Sequence, residues 1–149
     1  MDRMYTVVSK LAFGTPAGDL CRGVAGATEA VRIQSVTVTG ITETDDSNEI
    51  VMGWATADST GGTVATGVNT SPSKGAASSI VWTFNPTADA TGLTYHWREG
   101  MSVLAGFSKI WTPGRGPVID PTDTFFIAFT EAWTTDPTLI TCIEYDEIG

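Results

Sequence analysis

Two runs near the C-terminus decide the fold: Asp123-Thr-Phe-Phe-Ile-Ala-Phe-Thr-Glu-Ala-Trp133 and Thr138-Leu-Ile-Thr-Cys-Ile-Glu-Tyr-Asp146. In the first, Phe125, Ile127 and Phe129 alternate with Phe126, Ala128 and Thr130. In the second, Leu139, Ile143 and Tyr145 alternate with Ile140, Cys142 and Glu144. A period of two is the mark of a β-strand, whose successive side chains point to opposite faces. Both runs are apolar on each face near the middle. Each therefore needs cover on both sides, from its own chain or from a neighbouring subunit. Between them stands Thr134-Thr135-Asp136-Pro137, a turn in which Asp bonds the backbone ahead and Pro fixes φ. The pair reads as the central hairpin of a β-sandwich.

Outward from that pair, Met4–Lys10 and Asp19–Val24 read as strands, separated by a loop holding Gly14, Pro16 and Gly18. Ala25–Ala30 is a small-residue turn in which Thr28 and Glu29 start at most one helical turn. Val31–Glu43 is the first long strand. Val31 and Ile33 share one parity, Val36 and Val38 the other. A parity switch near Gln34-Ser35 predicts a bulge or a move between sheets. After the polar turn Thr44–Asn48, Glu49–Ala57 sets Ile50, Met52 and Trp54 against Val51, Gly53 and Ala55. The second face is small enough to accept a close neighbour.

Asp58–Ser79 is irregular and rich in Gly, Ser, Thr and Pro. Either Thr63–Val68 forms an edge strand, or a neighbour orders the segment. Ser79–Asn85 is a clear strand with Ile80, Trp82 and Phe84 inward. Leu93–Arg98 and Ser102–Trp111 follow, then the rigid turn Thr112–Pro117 and the return segment Val118–Pro121. Strands at spacings of about 8–12 residues predict an all-β, antiparallel sandwich or jelly roll of about eight strands. Residues 1–149 read as a single domain, with 1–18 an N-terminal strand and loop and 58–79 a long excursion.

Composition agrees. At 149 residues the chain buries about 70% of its unfolded surface. Five Trp, six Phe and three Tyr supply much of the core, while 16 Gly and 7 Pro oppose long helices. Seventeen acidic residues against eight basic ones give a net charge of −9. That balance argues against nucleic-acid partners, which call for a basic face, and against an anionic membrane surface. No run approaches the roughly 20 apolar residues of a membrane span. The N-terminal residues lack a signal-peptide core, so synthesis in a cytoplasm is expected. Cys21 and Cys142 sit in strand-like runs and read as buried free thiols.

Catalytic parts are scarce in the sequence. The single histidine, His96, would have to serve any Ser-His-Asp or Cys-His system, and it reads as a packed or surface imidazole. No nucleophile elbow or His-Glu-x-x-His helix is present. Asp45-Asp46-Ser47-Asn48-Glu49 offers clustered oxygens without the glycine and spacing of a calcium loop, and reads as a solvated turn. No catalytic, cofactor or metal residue is assigned. Trp54 and Trp82 fall within strands and read as core. Trp97, Trp111 and Trp133 lie near strand ends; with Tyr5 they are the candidate assembly contacts.

Four segments carry a family resemblance. Val31-Arg32-Ile33-Gln34-Ser35-Val36 precedes a Gly/Thr strand and an Asp/Ser turn. Thr60-Gly61-Gly62-Thr63-Val64 precedes the Pro/Gly segment Asn69–Ala77. Ile110-Trp111-Thr112-Pro113-Gly114 forms an aromatic turn, and Ile143-Glu144-Tyr145-Asp146-Glu147 an acidic terminal strand. In order and spacing this resembles the jelly-roll head decoration, or cement, proteins of tailed bacteriophages. The resemblance implies a non-enzymatic virion protein, made in the host bacterial cytoplasm. It would assemble as a homotrimer on the capsid surface, bind the major-capsid lattice and strengthen the shell. Two other readings stay open: a neck, tail or fibre component, and a carbohydrate-binding β-sandwich module using exposed Trp.

Overall fold

The computed structural model describes residues 3–13, 17–41, 44–70 and 77–148. Within them lie twelve strands: β1 (Arg3–Ala12), β2 (Gly18–Val24), β3 (Ala30–Ile41), β4 (Ser47–Ala57), β5 (Thr63–Ala65), β6 (Val68–Asn69), β7 (Val81–Phe84), β8 (Thr91–Ser102), β9 (Phe107–Ile110), β10 (Val118–Ile119), β11 (Thr124–Phe129) and β12 (Thr138–Ile148). The described residues contain no helix. One sheet runs β10-β3-β12-β1-β6, with β9 also on β3; the other runs β5-β7-β2-β11-β4-β8. Every pairing is antiparallel, and the two sheets pack face to face as a single-domain β-sandwich. Residues 14–16, 42–43 and 71–76 lie outside the described residues. The Gly14–Pro16 loop, the end of the strand expected to reach Glu43 and the middle of the Pro/Gly excursion fall there.

The two deciding runs are strands, but they are not a hairpin. β11 lies between β2 and β4 in one sheet, and β12 between β1 and β3 in the other. A run apolar on both faces is best used as a central strand, and each sheet takes one. The connector between them crosses from sheet to sheet. It buries Trp133 against Phe129, ring centroids 4.9 Å apart and nearly perpendicular. Asp46 fastens it by accepting the Thr134 and Thr135 amides, each at 2.9 Å, and the Thr135 hydroxyl at 3.0 Å. Asn48 adds a reciprocal pair with the Glu131 backbone, at 2.8 and 3.2 Å.

Inward residues follow the alternation. Tyr5 and Val7 (β1), Leu139, Ile143 and Tyr145 (β12), Ile50 and Met52 (β4), and Phe125, Ile127 and Phe129 (β11) are buried. Each large side chain so buried contributes about 1.5–3 kcal/mol. Ile80, Trp82 and Phe84 point inward as expected, and Trp82 is fully buried. The parity switch in β3 is a bulge. Ser35 faces Glu144 and Ile33 faces Tyr145, which leaves Gln34 as the extra residue. Val31, Ile33, Val36 and Val38 all reach the core as a result.

The expected strand Ser102–Trp111 is divided instead. β8 runs through Gly100 to Ser102, a turn closes with the Gly106 amide donating to the Ser102 carbonyl at 2.7 Å, and β9 follows. Residues 27 and 28 form a bend, not a helical turn. Both cysteines are free; Cys21 is buried and Cys142 only half-buried.

Candidate interaction site: an aromatic, cationic flank

β8 ends one sheet and β9 borders the other, so the sandwich has an open side along Thr91–Ser102 and Phe107–Ile110. Opposite Met52 and Gly53, β8 places Trp97 and Tyr95, and His96 is the extra residue of a bulge. A Cβ at Gly53 would lie 1.9 Å from the Thr94 carbonyl oxygen, so this close approach requires glycine. The bulge brings His96 to Trp54, with centroids 5.1 Å apart and edge-on, and to Trp111 at 6.5 Å.

Lys109, from β9, sets its ammonium 3.6 Å from the Trp97 ring centroid and 5.7 Å from that of Trp111. Such contacts stabilise by about 0.5–2 kcal/mol, according to desolvation. Among the described residues no carboxylate pairs with Lys109. The Trp97 indole donates to Glu99 at 3.2 Å. Arg98 lies over the Tyr95 ring at 5.1 Å and bonds Glu49 at 2.8 Å. The hydrogen bond from Arg98, then that from Thr130, holds the Glu49 carboxyl below its ordinary range. The pair is solvent-exposed, so it contributes little to stability.

Of the four expected assembly contacts, the structure brings Trp97 and Trp111 together on this flank, both half-buried. Tyr5 and Trp133 are corrected. Tyr5 is 1% exposed and stacks on Tyr145 at 5.5 Å, and Trp133 is 2% exposed. Proximity to a strand end did not leave the Trp133 ring at the surface, and Tyr5 points inward on the same face of β1 as Val7. Trp54 differs from expectation too. It is half-buried, with its indole N–H donated to the Val118 carbonyl at 3.0 Å.

The acidic turn is an internal latch. Besides Asp46 and Asn48, Asp45 accepts the Ser102 hydroxyl at 2.6 Å. Burial pushes the Asp46 carboxyl up, but hydrogen bonds from Thr135, Thr134 and Ser47 outweigh it and hold the group below its ordinary value.

Three clefts on the surface are formed by described residues. Two, of about 160 and 310 Å³, share Gly18, Asp19 and Asp89. There the Asp19 amide donates to Asp89, and the Ala90 amide to Asp19, both at 2.8 Å. Asp19 is 3% exposed, and burial pushes its carboxyl up to about 6. Sequence reasoning passed over this residue; the available signal was a lone carboxylate entering the apolar strand Leu20-Cys21.

The third cleft, of about 360 Å³, is lined by Trp54, Thr56, Thr94, Thr122, Asp123 and Thr124, among others. Thr122 follows Pro121 in a turn closed by the Asp123 amide donating to the Asp120 carbonyl at 3.0 Å, and its φ is 70°. That position ordinarily takes glycine. A β-branched residue there stores about 1–3 kcal/mol of strain.

No known family, curated protein or solved structure matches this chain. Among the described residues, no helix is long and apolar enough to cross a membrane.

Proposed function

We propose that this chain is a non-enzymatic virion structural protein, a decoration or cement protein on the head of a tailed bacteriophage. In this reading it assembles as a homotrimer in the host cytoplasm, binds the major-capsid lattice and stabilises the shell from outside. One observation carries the proposal: the open flank, where Trp97, Lys109 and Trp111 stand beside a twelve-residue edge strand. Large aromatics with an unpaired cation are the residue types that dominate protein–protein contacts. An edge strand also presents unpaired backbone groups to a partner. The single histidine is exposed and sets its ring against Trp54 and Trp111, adding a further aromatic group to the same flank.

Mass spectrometry of purified particles tests the proposal. The chain is expected in a copy number comparable with the major capsid protein, and its absence from particles would end the reading. A much lower copy number would move it to the neck, tail or fibre. Light scattering of the purified chain should give a trimer, and its melting temperature should rise with concentration because folding and association are linked. A monomer whose melting is independent of concentration would overturn the trimer.

A further inference from the structure

We propose that the cleft beside Trp54 is a binding site for a neutral sugar. Its volume, about 360 Å³, falls in the range of small-ligand sites and suits one or two sugar rings. Trp54 is fixed in place. Its indole N–H is bonded to Val118, and its ring meets Phe125 and His96 edge-on. With that donor engaged, the indole offers the cleft carbon surface, the partner that a sugar's C–H face requires.

Apart from Ala55 and Gly92, the rest of the described lining is polar. Thr56, Thr94, Thr122 and Thr124 bring hydroxyls that donate and accept, and Asp123 brings a carboxylate acceptor. Among the described residues, no hydrogen bond or ion pair engages the Asp123 carboxylate. Hydroxyls and a carboxylate around an aromatic ring match a polyol. Among the described residues the lining holds no Lys, Arg or His, so an anionic ligand would meet Asp123 with no countercharge from them.

Two backbone features hold the rim in shape. Thr122 keeps its left-handed conformation in the turn that carries Asp123. Gly92 has φ 66°, and a Cβ there would come within 1.8 Å of the Thr56 hydroxyl oxygen. Strained backbone maintained at a concave, polar surface is the pattern of a preorganised site. The proposal concerns the isolated chain and stands apart from its place in a particle.

Ligand-observed NMR titration of the purified chain tests it. The probes are the methyl glycosides of glucose, galactose, mannose and N-acetylglucosamine, with glucuronic acid as the anionic comparison. At least one neutral glycoside should saturate with a Kd of about 1 mM or tighter, and glucuronic acid should bind more weakly. Asp123→Ala and Thr56→Val, both at exposed positions, should each weaken binding about tenfold while the melting temperature stays unchanged. The proposal fails if no neutral glycoside saturates. It also fails if glucuronic acid binds more tightly, or if both folded variants bind as the parent does.

Discussion

β11 and β12 are built from the same kind of sequence, yet their outer faces end differently. On β11, Phe126 is 0% and Ala128 5% exposed. Their cover comes from the same chain. Val51 lies beside them, Leu93 and Ala55 pack on them, and the Tyr95 ring meets Phe126 edge-on at 6.0 Å. On β12 the outward Ile140 and Cys142 are only half-buried. Across from Cys142 stands Val8 on β1, 58% exposed, and on the other side Thr37. The difference lies in the neighbours. β4 sets Val51 and Ala55 beside the outer face of β11, and β8 beyond it adds Leu93 and Tyr95, whereas the outer face of β12 meets Lys10, Thr6, Thr37 and Thr39 beside the exposed Met4 and Val8. Two-sided apolarity states a need for cover; the adjacent strands determine whether the chain itself provides it.

Truncating the covered face is the strongest way to break that contrast. Phe126→Ala should cost about 3–5 kcal/mol, as should Trp82→Ala in the inter-sheet core, whereas Ile140→Ala should cost about 1–2 kcal/mol. Urea unfolding of the three variants gives the comparison directly. Equal losses at Phe126 and Ile140 would show that the small cluster under Tyr95 is not a core in energetic terms.

How much of this was legible in the sequence varies by level. Alternation located the strands and their inward residues, because side-chain direction is a local property. It located the bulge as well, since Val31/Ile33 and Val36/Val38 cannot share a face without an extra residue, and Gln34 is that residue. Pairing was not legible. Period two assigns faces, not partners, so β11 and β12 read as a hairpin when each is the centre of its own sheet. The flank was half legible. Trp97 and Trp111 stood out as aromatics near strand ends, but their meeting over Lys109 depends on two edge strands from different sheets. Glu147 read as part of an acidic tail, yet it is 3% exposed and accepts the amide of Ser79, 68 residues away.

The sheets can be told apart by pH as well. Asp19, in the β11 sheet, has its carboxyl raised to about 6 by burial. Its folded-state value lies above the unfolded one, so folding takes up a proton as pH falls from about 6 to about 4, and stability rises over that window. Glu147, in the β12 sheet, behaves oppositely. Burial pushes its carboxyl up, but hydrogen bonds from Ser79 and Ser78 prevail and lower it. Its contribution is present above the unfolded value and is lost as pH falls through the folded one. Stability should therefore peak in mild acid. Asp19→Asn should raise stability at pH 8 by at most about 3 kcal/mol and flatten the slope between pH 4 and 6. A variant that keeps the slope would place its origin in another group. Asp46→Ala, with no cover to lose, should instead speed amide exchange at Thr134 and Thr135, whose N–H groups it accepts.

The smallest effect is also the most local. Cys142 lies on the open face of β12 and Cys21 in the core, so the two thiols sample the contrast directly. Burial raises both thiols, Cys21 much further, and Asp19 adds to that while Glu144 adds to the rise at Cys142. A thiol reacts through its thiolate, so native Cys142 should be modified slowly by a maleimide and Cys21 only on unfolding. Mass analysis after native labelling should find one adduct per chain, at Cys142, with little change in melting temperature. Modification of Cys21 at the same rate would mean that the β11 sheet opens in the native state. Protection of Cys142 that disappears on dilution would mean that another copy covers the β12 face, and would bring the two strands back to the same rule of cover on both sides.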